Sequence, residues 1–201
     1  PTTAQFSYEM GPWKLTATGS EALPEQCLAL LPADRRIAQG KVDCVSPVLT
    51  FGRHGLAVEN LVATCRLDPD CNSHVGIYAW SFNKEKWMYW TAESRTQSSI
   101  TCRVDYLTPL VLGQDVSPPR VLPARIHKFF GGRRWVIPVR DHGSGIDPNK
   151  ARIQSDGGWI PVVYDRDRRW LELPEGIQFP VMVEISDQSG WQTRLNISGS
   201  P

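Results

Sequence analysis

Two stretches of this chain run an alternating apolar pattern up to an aspartate and then turn through small residues. The first is Val136-Ile137-Pro138-Val139-Arg140-Asp141-His142-Gly143-Ser144-Gly145-Ile146-Asp147, and the second is Val181-Met182-Val183-Glu184-Ile185-Ser186-Asp187-Gln188-Ser189-Gly190-Trp191. Alternation at period two places one face of a strand on a core and leaves the other wet. Asp accepts hydrogen bonds from nearby backbone N–H groups and Gly tolerates positive φ, so such a run ends in a turn. Strand-like runs recur every 8–12 residues through the second half: Val121–His127, Trp135–Asp141, Ala151–Gln154, Trp159–Tyr164, Trp170–Leu173, Val181–Ser186 and Gln192–Ile197. Seven short strands separated by Gly, Pro and Asp clusters predict an immunoglobulin-like β-sandwich.

The first half is also rich in strand patterns, among them Trp13–Thr18, Cys27–Leu31, Val42–Thr50, Leu61–Arg66, Val75–Phe82, Lys86–Thr91, Ser99–Asp105 and Thr108–Leu112. Its one helix-compatible piece, Ala33–Gln39, is too short to stand alone. Between the halves lies Gly113-Gln114-Asp115-Val116-Ser117-Pro118-Pro119. Two consecutive prolines cannot donate to a ladder and favour a stiff, extended link. The expectation is an all-β chain of two sandwich domains, residues 1–115 and 120–201, joined by a short Pro-Pro linker.

Bulk properties exclude some functions. The net charge of +1 argues against a general nucleic-acid binder, which concentrates a basic surplus. No apolar run reaches the roughly 18–20 residues of a membrane span, so no membrane insertion is expected. The chain opens on Pro1 and reads as a mature protein or an excised fragment. Five cysteines, Cys27, Cys44, Cys65, Cys71 and Cys102, all fall in the first half. No pair has zinc-knuckle spacing. Cys65 and Cys71 bracket a turn-rich loop that a disulfide could close, which suits an exported protein; buried thiols in a reducing compartment are the other reading.

Three segments resemble a known pairing of domains. Ser46-Pro47-Val48-Leu49-Thr50-Phe51-Gly52-Arg53-His54-Gly55-Leu56, followed by Val75-Gly76-Ile77-Tyr78-Ala79-Trp80 and Lys86-Trp87, is similar to ZU5-like β-sandwich domains, with Arg53 where proline is usual. The 113–119 segment resembles the junction that joins such a domain to a bacterial Ig-like one. The corners Asp141–Asp147 and Asp187–Gly190 resemble those of that Ig-like domain, with Trp191 where asparagine is usual. The pair is similar to non-catalytic regions of exported, cell-wall-associated proteins, some of which carry a zinc endopeptidase of the M23 type. The resemblance implies a periplasmic or cell-surface location and an accessory role. It transfers no activity, because those peptidases need an H-x-H pair and an upstream H-x-x-x-D, whereas His54, His74, His127 and His142 are isolated from one another.

Candidate chemistry is sparse. Asp141, Asp147 and Asp187 could collect at one end of the second sandwich and hold Ca²⁺, although capping of turn N–H groups is the commoner use of such residues. His142 beside Asp141 and near Ser144 lacks the orienting group and oxyanion hole that hydrolysis needs. Cys102 in an alternating strand reads as core or as disulfide-bonded, not as a nucleophile paired with His127. Eight tryptophans offer more, since an exposed row of rings can stack on sugars or on a partner. Trp159 and the turn residue Trp191 are the binding candidates. Arg166, Arg168 and Arg169 form a basic turn that could engage carboxylate or phosphate groups on a wall polymer, against a solvated face as the default. The expected function is a non-enzymatic accessory or interaction module at the cell envelope, with no cofactor, whose partner is peptidoglycan or another envelope protein. The alternatives are the non-catalytic part of an M23-type hydrolase whose catalytic domain lies elsewhere, and a carbohydrate-binding module.

Overall fold

In a computed structural model the described residues are 5–18, 28–33, 36–37, 42–52, 54–71, 74–130, 132–155 and 157–199. Cys27 lies outside them. Among the described residues the chain is all-β; the one helical element is a 3₁₀ turn at Pro148–Lys150. The chain divides into two compact units, Pro1–Val116 and Ser117–Pro201.

The first unit contains β1 (Gln5–Met10), β2 (Trp13–Thr18), β3 (Leu28–Leu31), β4 (Arg36–Ile37), β5 (Val42–Cys44), β6 (Val48–Phe51), β7 (Ala57–Arg66), β8 (Val75–Ser81), β9 (Lys86–Trp90), β10 (Ser94–Arg95), β11 (Ser99–Tyr106) and β12 (Leu110–Asp115). One antiparallel sheet runs β1-β2-β7-β11-β10. The other centres on β12, which pairs with β8 and with β5 and β6, while β9 extends beyond β8. Alternation builds the core: Trp13, Leu15 and Ala17 of β2 and Leu61, Ala63 and Cys65 of β7 face Leu49, Phe51, Ile77 and Leu112 of the opposing sheet. The run Val75–Ala79 is buried at every position because the β8 sheet is covered on both faces. Its second face carries a smaller cluster of Val42, Tyr78 and Val111, with Trp87 and Tyr89 against it. Gly76 and Gly113 pair across the strands and leave room for those rings. A Cβ at Gly76 would lie 2.4 Å from Tyr89 Cε2.

Two readings of this half change. Val42–Thr50 is two strands, broken at Val45-Ser46-Pro47, where the Ser46 hydroxyl accepts from the Leu112 N–H at 2.9 Å. Within Ala33–Gln39, too short for a helix of its own, the described residues Arg36–Ile37 form a strand paired with β5. Cys65 and Cys71 are free thiols, as is Cys102. The loop between Cys65 and Cys71 closes instead through hydrogen bonds, Cys71 N to Asp68 O at 2.9 Å and Asp70 N to Asp68 Oδ1 at 3.0 Å.

The second unit contains β13 (Arg120–Val121), β14 (Arg125–Phe129), β15 (Gly132–Arg140), β16 (Arg152–Ser155), β17 (Gly158–Pro161), β18 (Val163–Asp165), β19 (Trp170–Glu172), β20 (Val181–Ser186) and β21 (Gln192–Ile197). One sheet gathers β13, β14, β15, β19 and β18 around β15; the other runs β17-β16-β20-β21. Between them lie Ile137, Val139, Ile153, Leu171, Val181, Val183 and Ile185. Trp159–Tyr164, read as one strand, is two strands belonging to different sheets. The chain crosses at Pro161-Val162, with β17 on β16 and β18 on β19. The Val162 side chain turns into the core and its N–H bonds to Ala151 O at 3.2 Å.

Candidate functional site

The outward face of β17-β16-β20-β21 carries the most developed constellation in the second unit. Register aligns Arg152 of β16 opposite Glu184 of β20, and Glu184 opposite Arg194 of β21. Residues directly opposite in a ladder share a face, so these three polar side chains form one row above the Val183 and Ile185 core layer. Arg152 Nε donates to Glu184 Oε1 at 2.6 Å, and Arg194 Nε donates to Glu184 Oε2 at 2.9 Å. The Nη2 groups of both arginines add a second contact each to the same carboxylate.

Trp159, from β17, leans across this row. Its ring centroid lies 4.6 Å from Cζ of Arg152 and 5.3 Å from Cζ of Arg194. Guanidiniums at these distances are attracted to the indole quadrupole. Glu184 is only 5% exposed, whereas the side chains of Arg152 and Arg194 are 47% and 58% exposed. The carboxylate is therefore a buried anchor, and the guanidiniums present their remaining edges to solvent. The Arg194 hydrogen bond, reinforced by Arg152, holds the Glu184 carboxyl below the usual carboxylate range despite its burial.

A groove of about 430 Å³ opens beside this row, lined among others by Lys150, Arg152, Trp159, Pro161, Glu184 and Gln192. Two arginines against one glutamate leave the cluster one positive charge in surplus. Lys150 stands at the rim, where Asp147 at 3.3 Å offsets its charge. Each guanidinium has five N–H donors, of which two point at Glu184. The arrangement can hold a flat or ring-shaped group on the indole and receive an anionic substituent on donors whose geometry is already set.

The sequence candidates separate. Trp159 stands on this face. Trp191 lies half-buried in the β20–β21 turn, its N–H donating to Asp187 Oδ1 at 2.9 Å. Arg166, Arg168 and Arg169 sit exposed on the β18–β19 turn, in the other sheet. There Arg168 pairs with Asp165 at 3.4 Å and lies 5.3 Å from the Trp170 ring, and Arg169 takes a left-handed φ of 56°. Six of the eight tryptophans are half-buried; Trp13 and Trp170 are buried.

The acidic corners act as turn caps. Asp141 Oδ2 accepts from Gly143 N at 3.1 Å and from Gly145 N at 2.5 Å. Asp187 Oδ1 accepts from Ser189 Oγ at 2.8 Å as well as from Trp191 N. Asp147 Oδ1 caps Asn149 N at 3.0 Å. The two corner loops are bonded to each other, Gln188 N to Gly145 O at 2.8 Å and Ser189 N to Ser144 Oγ at 3.0 Å. That brings a carboxylate oxygen of Asp141 and one of Asp187 within 4.8 Å, while Asp147 faces Lys150. The Ser144 hydroxyl is thus part of the corner, where it accepts from Ser189 N.

Arg152, Glu184 and Arg194 were absent from the sequence candidates. One signal was present: a glutamate inside the otherwise apolar run Val181–Ile185 needs a partner when it is buried. No helix among the described residues is long and apolar enough to cross a membrane. Compared with models of protein families, with curated proteins and with solved structures, the chain matches none.

Proposed function

We propose that this chain is a non-catalytic accessory module of a bacterial cell-envelope protein, and that its second unit binds an anionic wall polymer through the Trp159 face. The carrying observation is the row Arg152–Glu184–Arg194 beneath the Trp159 indole. A buried carboxylate fixes two half-exposed guanidiniums next to an aromatic platform, and the cluster keeps a positive surplus. Peptidoglycan presents sugar rings together with peptide carboxylates, so one ligand supplies both complements. The resemblance of the two units to ZU5-like and bacterial Ig-like sandwiches supports the envelope location and the accessory role.

The surroundings of the reactive side chains support the non-catalytic part. His54 packs on Phe82 with ring centroids 5.2 Å apart, and His127 on Trp170 at 4.5 Å. Burial pushes the Cys65 and Cys102 thiols up to about 12, which keeps them protonated and unreactive at neutral pH.

Co-sedimentation of the full chain with purified peptidoglycan sacculi tests the reading at low and physiological salt. Binding should persist at physiological salt and weaken about tenfold in Trp159→Ala and in Arg194→Ala. Equal pelleting of both variants and the wild-type chain would refute the assignment to this face.

A further inference from the structure

The β14–β15 hairpin ends in a tip whose composition the fold does not explain. Beyond Trp135, residues Gly132–Arg134 of β15 pair only with His127–Phe129 of β14, so the hairpin continues as a two-stranded ribbon. At its end Phe130 is fully exposed and Phe129 is 45% exposed, with Ile126 also exposed further back. Lys128 and Arg133 stand directly opposite each other, both exposed. Like charges placed opposite across a ladder destabilise it, and a phenyl ring held in water gains nothing from hydrophobic burial. Arg134 is matched by Glu172 at 2.6 Å and lies 5.5 Å from the Phe129 ring. Among the described residues no ion pair links Lys128 or Arg133 to a carboxylate.

The geometry points to this tip as a docking element for an anionic lipid surface, distinct from the Trp159 face. Phe129 and Phe130 enter the headgroup layer while Lys128 and Arg133 meet lipid phosphates. Basic residues beside a membrane add attraction toward anionic lipid, and apolar side chains at the interface add burial. A lipid surface accounts for the tip better than a protein pocket does. Stable protein interfaces bury on the order of 1,200 Å² or more, which a ribbon end of two rings and two cations does not offer. A bilayer needs no shape complementarity and relieves the Lys128–Arg133 repulsion as well as the exposed rings.

The test is flotation of the full chain with vesicles of phosphatidylcholine alone and of phosphatidylcholine mixed with phosphatidylglycerol. The wild-type chain should float with the anionic vesicles and much less with the neutral ones. The double variants Phe129→Ser/Phe130→Ser and Lys128→Glu/Arg133→Glu should each lose about tenfold in partitioning, with unchanged thermal unfolding because all four positions are exposed. Trp159→Ala should float like wild type, which keeps this proposal separable from the polymer-binding face. The proposal is overturned if the wild-type chain ignores anionic vesicles, if both double variants float as well as wild type, or if Trp159→Ala alone abolishes flotation.

Discussion

Replacing Glu184 by glutamine tests the anchor on which the Trp159 face rests. The side chain keeps its shape but loses its charge between two guanidiniums. A charge-assisted hydrogen bond contributes about 1.5–3 kcal/mol when shielded from water. Here the carboxylate is shielded, but Arg152 and Arg194 are about half exposed and regain hydration when released. The exposed-pair scale of at most about 1 kcal/mol per partner is therefore the better guide. Two partners give roughly 2 kcal/mol of lost stability at pH 7 for Glu184→Gln. The pH dependence has a definite sign. The folded carboxyl titrates below its ordinary value of 4.5, so its stabilisation is present above that value and is lost as pH falls through the folded value. Urea unfolding of both proteins from pH 7 into the acid range should show a gap that is full at neutral pH and closes only below about 4.5. A gap under about 0.5 kcal/mol at pH 7, or one that persists unchanged into acid, would refute the reasoning.

Two further outcomes follow from the first unit. Cys65 and Cys102 should resist alkylation in the native protein at pH 8 and label on unfolding without reductant; a failure to label then would reveal a disulfide. Because their folded values are raised from 9.0 to about 12, stability should fall as pH climbs above 9, approaching about 1.4 kcal/mol per thiol per pH unit once the unfolded thiols are fully ionised, and Cys65→Ala/Cys102→Ala should flatten that slope. Gly76→Ala should destabilise by about 1–3 kcal/mol in thermal unfolding, because its Cβ meets the Tyr89 ring, and Tyr89→Ala should suppress most of that cost.

Local chemistry made some of this architecture legible and hid the rest. Val181–Ser186 and Gln192–Ile197 read as strands and are strands to the residue, because alternation and Asp-Gly turns act locally. The all-β class follows from many such runs. What escaped were the places where one apolar run serves two sheets. Nothing in Trp159–Tyr164 says that the chain changes sheets at Pro161-Val162; the cause is the seat of Val162 in the core, a tertiary fact. Arg36–Ile37 pairs as a strand because β5 offers an edge, which overrides a weak helical tendency. The candidate site shows the same division. Trp159 was identifiable as an aromatic binding candidate, but Arg152 and Arg194 are joined to it only through the register of four strands across Glu184. Arg166, Arg168 and Arg169 looked equally good as a basic turn, and the β18–β19 hairpin carries them in the other sheet.

The most direct measurement is an NMR titration of the full chain with soluble peptidoglycan fragments, following the indole N–H of Trp159 and the Nε–H groups of Arg152 and Arg194. The account predicts saturable shifts centred on those three side chains and on the β16 and β20 amides, with the β18–β19 turn unmoved. Shifts centred on Arg166, Arg168 and Arg169 with the Trp159 face silent, or no shifts at any ligand concentration, would contradict it.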